Sequence, residues 1–344
     1  MSDLHARGCA VLLAGLPKVG PRQLTELLAD PGAEAAWAQL GGSSSVEPTA
    51  VLERHAAGGI EVLLPGDAAY PEALRVDRHR PAVLFASGDL AALSDVRVAI
   101  IGTRRCTGSG AGFARQLGRE LTEAGVGIVS GLALGIDGAA HRGVLEANGR
   151  PIAVLGNGLD ICYPARHRSL WEQVRASGVL LSEVPMGLRP AAWRFPARNR
   201  IIAALSHLVV VAESHAAGGS MLTVKEAIAR DIQVMAVPGS VRSPSAAGSN
   251  QLIAEGCAPV LDSTDILVAL GLSTAARAVS CEPPPQPSGR ARKLLDAFDW
   301  EPVTLEHLAA RTGWHLRDLA LVLEDVIAGG WVTVDGGWYE RTER

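Results

Sequence analysis

The sequence predicts an α/β protein built on a doubly wound parallel sheet, with a small helical region before it and a second small domain after it. Six short β-rich runs lead to this: VRVAII (96–101), VGIVS (126–130), IAVLG (152–156), VLLSE (179–183), LVVVA (208–212) and VMAVP (234–238). They alternate with segments of helical periodicity, such as Phe113, Leu117 and Leu121. Near-continuously apolar strands separated by helices are what a Rossmann-like parallel sheet, covered on both faces, requires. The third observation is the order of the last 55 residues. An apolar face at Leu294, Leu295 and Phe298 is followed by TLEHLAART, a helix carrying Leu316, Leu319, Leu323, Val326 and Ile327, and a hairpin in WVTVDGGWYE. Three helices and a β-hairpin predict a winged helix.

Taken from the N-terminus, residues 1–64 read as a helical domain. LAGLPKVGPRQLTELL holds a Gly-x-x-x-x-Gly turn between two apolar faces, similar to a helix-hairpin-helix or SAM-like unit. GGSSSVEPT (41–49) is loop-like, and 65–95 mixes Pro, Gly and Asp with short apolar pieces. The sheet domain is placed at 65–272. Its end is marked by STAARAVSCEPPPQPSGR, rich in Pro and Ser without apolar period, which reads as a linker over 273–289. The winged helix occupies 290–344. There is no internal repeat.

Composition narrows the function classes. With 48% hydrophobic and 20% charged residues the chain is no disordered protein, and 4% aromatics leaves few side chains for stacking platforms. No apolar run reaches the ~18 residues of a membrane span, and MSDLHARGC has no signal-like pattern, so a cytoplasmic protein without membrane association is expected. Cys9, Cys106, Cys162, Cys257 and Cys281 are scattered, which predicts neither a disulfide framework nor a structural zinc; no metal or cofactor is expected. The net charge of −4 hides an asymmetry. Residues 1–96 carry 7 basic and 12 acidic side chains, 97–266 carry 17 and 13, and 290–344 carry 7 and 10, so the middle alone is basic. Just three of the 32 basic residues are lysine (Lys18, Lys225 and Lys293), a bias that suits bidentate phosphate contacts or a GC-rich genome.

Three loops at the predicted carboxyl edge carry candidate chemistry. Gly102 to Gly112 (GTRRCTGSGAG) follows the first strand and opens a helix. It reads either as a phosphate cradle with Arg104 as cation or as a tight turn with solvated arginines. It lacks the dinucleotide G-x-G-x-x-G, Ser130 stands where the second strand would end in an acid, and a Walker A lysine is missing, so neither nicotinamide binding nor nucleotide hydrolysis is expected. In the second loop, Ser130 to His141, Asp137 is expected to cap the helix and His141 to pack; a metal-binding Asp/His pair is the less favoured alternative. The third comprises Gly218, Gly219 and Ser220 with Lys225 one turn inside. Arg194, Arg198 and Arg200 surround Phe195, a pattern that suits single-stranded nucleic acid, which offers phosphates and unstacked bases together; a surface arginine cluster pairing with acidic neighbours is the alternative reading.

These segments resemble the DprA/Smf family of DNA-processing proteins. VAIIGTRRCTGSG is similar to the family's strand followed by G-S/T-R and T-x-Y-G, and SGLALGIDGAAH to its S-G-x-A-x-G-I-D-x-x-A-H. VLGNGLDICYP, FPARNRIIAALS, GGSMLTVKEA and VPGSVRSPSAAGSNQLIAEGCAPV match further family patterns, covering about 96–262. The chain departs at Ser109 (tyrosine in the family), His167 (asparagine) and Ala204 (glycine). The resemblance implies a recombination mediator of natural transformation that binds single-stranded DNA as a dimer, loads RecA onto it and helps displace single-strand-binding protein, with no bond chemistry. It implies a DNA site of Gly102, Thr103, Arg104, Gly131, Arg166, Arg198, Asn199, Arg200, Gly219, Ser220 and Lys225. It also implies a dimer contact at Asn250, Leu252 and Ile253, for which core packing is the alternative reading.

Two rivals come from other classes. Lysine-decarboxylase-like nucleotide phosphoribohydrolases share this kind of sheet but place P-G-G-x-G-T-x-x-E on the third loop. Here Met221 and Leu222 replace its last glycine and threonine, and Lys225 stands where the catalytic glutamate should be, with Glu226 one residue late. A winged-helix transcription factor is disfavoured by the acidic balance of 290–344 and by Asp318, Glu324 and Asp325 on the would-be recognition helix.

Overall fold

The structure is a computed structural model describing residues 2–40, 46–272, 287, 289–298, 302–335 and 337–341, so the expected linker lies almost wholly outside the described residues. Four helices open the chain: α1 (Ser2–Ala14), α2 (Pro21–Ala29), α3 (Ala33–Leu40) and α4 (Pro48–Ala57). α2 and α4 each begin on a proline, whose missing N–H is no loss in the first turn. Leu13, Val19, Leu24 and Val51 are buried in one cluster with Phe85, Leu155, Trp171 and Val174, so these helices share a core with the sheet.

The sheet opens with β1 (Glu61–Leu63), then α5 (Glu72–Arg75) and β2 (Leu84–Gly88). The alternating part follows as β3 (Arg97–Gly102), α6 (Gly108–Glu123), β4 (Gly127–Ser130), α7 (Ile136–Glu146), β5 (Ile152–Leu155), α8 (Arg168–Ser177) and β6 (Val179–Ser182). It continues with α9 (Arg194–Ala204), β7 (Leu208–Glu213), α10 (Ser220–Ile228), β8 (Gln233–Ala236), α11 (Ala247–Ala254), β9 (Ala258–Pro259) and α12 (Ser263–Ala269). All six predicted runs are strands, β3 to β8, and all pair in parallel. β1 and β9 are too short to show a period in sequence. β2 adds antiparallel to β6, so the sheet starts well before Val96.

The spatial order is β1-β2-β6-β5-β4-β3-β7-β8-β9. From β3 the chain winds outward to β6, then returns to β7 on the other side of β3. The order therefore reverses between β3 and β7, and a doubly wound sheet opens its ligand crevice beyond the carboxyl ends at that point. Alternation supplies both faces of the core: Ala99, Ile101, Val209 and Val211 lie in one cluster, while Ala153, Leu155 and Leu180 lie in another.

Near the C-terminus, α13 (Gly289–Leu295), β10 (Val303–Thr304), α14 (Leu305–Thr312), α15 (Leu316–Ala328), β11 (Val332–Asp335) and β12 (Trp338–Arg341) form the expected winged helix, with sheet order β10-β12-β11. Its core is its own, from Leu294, Leu308, Leu319, Leu323 and Val326. The chain divides into two compact units, Met1–Cys106 with Ala114–Ser273, and Thr107–Phe113 with Thr274–Arg344. Among the described residues no helix is long and apolar enough to cross a membrane.

Candidate functional site

The crevice is built from glycines that let backbones touch. A Cβ on Gly102, the last residue of β3, would lie 2.5 Å from the Ile136 side chain and 2.6 Å from the Glu213 carbonyl oxygen. Thr103 then donates its N–H to Glu213 O (2.7 Å) and accepts from Ile136 N (3.3 Å). The loop after β3 is thus held to β7 on one side and to α7 on the other. It delivers Arg104, which is exposed, with its guanidinium carbon 5.1 Å from the centroid of the Phe195 ring.

Phe195 does not stand alone. Tyr163, 40% exposed, packs beside it with ring centroids 5.6 Å apart. Trp193, 51% exposed, carries the Arg194 guanidinium 5.2 Å from its centroid. Although the chain is poor in aromatics, two arginine–ring pairs, Arg104 with Phe195 and Arg194 with Trp193, mark the first turn of α9, with Tyr163 packed on the first. Local sequence does not single out Tyr163 or Trp193 as site residues; the one signal for Tyr163 is its place in the Y-P pair after β5.

Beneath this surface lies a buried charged layer. The Arg198 guanidinium lies against Gly131 and donates to the Gly131 carbonyl at 3.2 Å. Asp137 accepts from Gly131 N (3.1 Å) and Ala133 N (3.4 Å), so it ties back the loop before α7 and does not take the helix-capping role that its position predicts. Burial raises the Asp137 carboxyl above its usual range, and the nearby Arg198 opposes that shift. Burial likewise lowers Arg198 to about 10, with Asp137 pulling the other way. His141 is fully buried and pushed down to about 3 by desolvation, with His167 and Arg198 adding to the shift. Among the described residues neither ring nitrogen of His141 and neither Nε nor Nη1 of Arg198 has a hydrogen-bond partner.

The remaining candidates are spread more widely. Ser220, at the start of α10, spends its hydroxyl on Ser214 (2.7 Å), leaving the exposed Gly219 and Lys225 toward solvent. Asn199 is half-buried on α9. Arg200 forms a two-pronged ion pair with Glu183, with 2.7 Å between Nη1 and Oε2, and each side chain is 13% exposed. Arg166 is exposed beside the buried His167, whose Nδ1 lies 3.1 Å from Leu132 O. Asn250 holds Gly239 in both directions, accepting from its N–H (3.0 Å) and donating to its carbonyl (2.9 Å). Leu252 is 3% exposed in the sheet core, and Ile253 packs against the same core.

Comparison with known proteins agrees with this architecture. The family model described as DNA recombination-mediator protein A matches residues 61–271, and the DprA winged helix domain matches 278–324. Protein Smf of Synechocystis is 35% identical, over 88% of this chain and 85% of its own length. Protein Smf of Escherichia coli is 36% identical, over 82% and 78%. The X-ray structure of DNA processing protein A from Streptococcus pneumoniae aligns with a TM-score of 0.62 and 31% identity, covering 78% of this chain and 94% of that one. DNA processing protein A from Helicobacter pylori, whose structure was described for its single-stranded DNA binding mode, aligns with a TM-score of 0.55 and 30% identity, covering 61% and 95%. The chain belongs to the DprA/Smf family of DNA recombination-mediator proteins.

Proposed function

We propose that this protein binds single-stranded DNA at the crevice between β3 and β7 and acts there as a recombination mediator, loading RecA onto incoming strands in natural transformation. The carrying observation is the Arg104 guanidinium over Phe195 with Tyr163 alongside. A cation and two rings at the mouth of a glycine-lined crevice suit phosphates and unstacked bases together. Gly102, Thr103, Gly219 and Lys225 complete the contact surface; Gly131, expected among them, is buried under the Arg198 guanidinium, so both residues support the surface from beneath. The reading involves no bond chemistry; homodimer formation, displacement of single-strand-binding protein and a cytoplasmic location belong to it. Self-association is proposed through the segment around α11 and β9. With Leu252 in the core, the exposed Gln251 is the position to substitute.

The test is fluorescence anisotropy with matched single- and double-stranded oligonucleotides at two salt concentrations, beside RecA assembly on strands coated with single-strand-binding protein. Expected are a preference for the single strand, a steep loss of affinity with salt, and faster RecA assembly. Equal affinity for both forms, or turnover of a nucleoside monophosphate to free base, would overturn the reading.

A further inference from the structure

A second polar groove lies beside the crevice, between α7 and α8. Its volume is about 370 Å³, and Arg142, Glu146, Arg166, Ser169 and Gln173 line it. Its one lining carboxylate is already engaged: Glu146 accepts from Arg115 Nε (2.6 and 2.8 Å) and pairs with Arg115 Nη2 (2.6 Å). Arg142 and Arg166 are exposed and have no ion-pair partner among the described residues. The groove therefore presents two unneutralised guanidinium groups beside an already compensated acid.

Two elements lead from the DNA crevice into this groove. The segment Tyr163 to Arg166 places its first residue against Phe195 and its last in the groove, a span of at most ~11 Å. α7 starts at Ile136, whose N–H bonds Thr103, and carries Arg142 about 9 Å further along its axis. We infer that the α7–α8 groove is a second phosphate subsite, in which Arg142 together with Arg166 guides a single strand onward after it leaves Arg104 and Phe195. The inference rests on the DNA-binding reading above and adds a direction of travel and a new contact residue, Arg142. Arginine suits the role because its planar fork holds a phosphate through two parallel N–H bonds.

The test uses the full chain with Arg142→Ala, Arg104→Ala and wild type, titrated with oligothymidylates of increasing length at several salt concentrations. Arg142 is exposed and has no ion-pair partner among the described residues, so thermal unfolding should match wild type and confirms folding. Expected for Arg142→Ala is an affinity loss of about fivefold on long strands and a salt slope shallower by about 0.7, one phosphate contact, with unchanged affinity for the shortest strand that binds. An unchanged salt slope on long strands overturns the inference, as does an equal loss on short and long ones. If Arg104→Ala weakens binding while Arg142→Ala does not, the groove fails and the crevice stands. If Arg104→Ala binds like wild type, the crevice reading itself fails.

Discussion

The guanidinium of Arg198 occupies the space that a side chain on residue 131 would need: a Cβ on Gly131 would lie 1.6 Å from Nη1. The two residues come from different strand-to-helix regions of the sheet edge, and each dictates the other. Arg198 is 7% exposed, so it cannot swing aside into water without opening the loop that Asp137 holds. Gly131→Ala should therefore destabilise the fold by on the order of 3 kcal/mol, through overpacking and displacement of a buried charge. Urea unfolding of Gly131→Ala, Arg198→Ala and the double variant should show the double variant more stable than the sum of the singles. Simple additivity would count against the contact.

Arg104→Ala should cost more single-strand affinity than Arg105→Ala. Both arginines are exposed, but Arg104 has its guanidinium ordered over Phe195 while Arg105 contributes general field. Phe195→Ala should lose roughly tenfold or more, the magnitude of one base–aromatic stack. Anisotropy titrations at a single salt concentration suffice, and equal losses for the two arginines would point to a diffuse basic surface.

Arg200 is a different case, because its ion pair with Glu183 leaves each side chain 13% exposed. Removing the arginine strands a carboxylate in a largely buried position, so Arg200→Ala should lower the unfolding midpoint clearly. It should leave the salt slope of DNA binding where wild type has it. A slope that falls by a whole phosphate contact, with stability intact, would instead place Arg200 on the DNA.

Acid should weaken the fold through its buried histidines. Burial lowers His55, His141 and His167 below the ordinary value of 6.5, His141 to about 3. The unfolded chain then binds more protons than the folded one, so the stability held above pH 6.5 is lost as pH falls toward each folded value. The loss is at most about 1.4 kcal/mol per pH unit for each such group. Asp137, whose folded value is raised, works in the opposite direction. Urea midpoints between pH 7.5 and 4.5 should fall less steeply for His141→Leu than for wild type. Parallel curves would mean that His141 is not the group being protonated.

The β3–β8 register of apolar runs, the winged helix and the glycine loops were legible in sequence because each rests on local periodicity or on a residue type whose conformational freedom has one main use. Gly102 and Arg104 could be named for the same reason, because they lie in a short motif at a strand end, and Phe195 because it stands within an arginine-rich motif. The strand order was decided by long-range pairing. β2 joins β6 across more than 90 residues of chain, and no local pattern encodes which strand it will meet. The same holds for side-chain roles. Arg198 and Arg200 are two residues apart on α9 and look alike in sequence, yet one is pressed against Gly131 and the other is paired with Glu183. Tyr163 reaches Phe195, and Leu252 turns into the core, through contacts that exist once the sheet has closed. Residue type and spacing determined which chemistry the crevice holds; tertiary packing, through desolvation and partner choice, decided which of its charges remain available to a ligand.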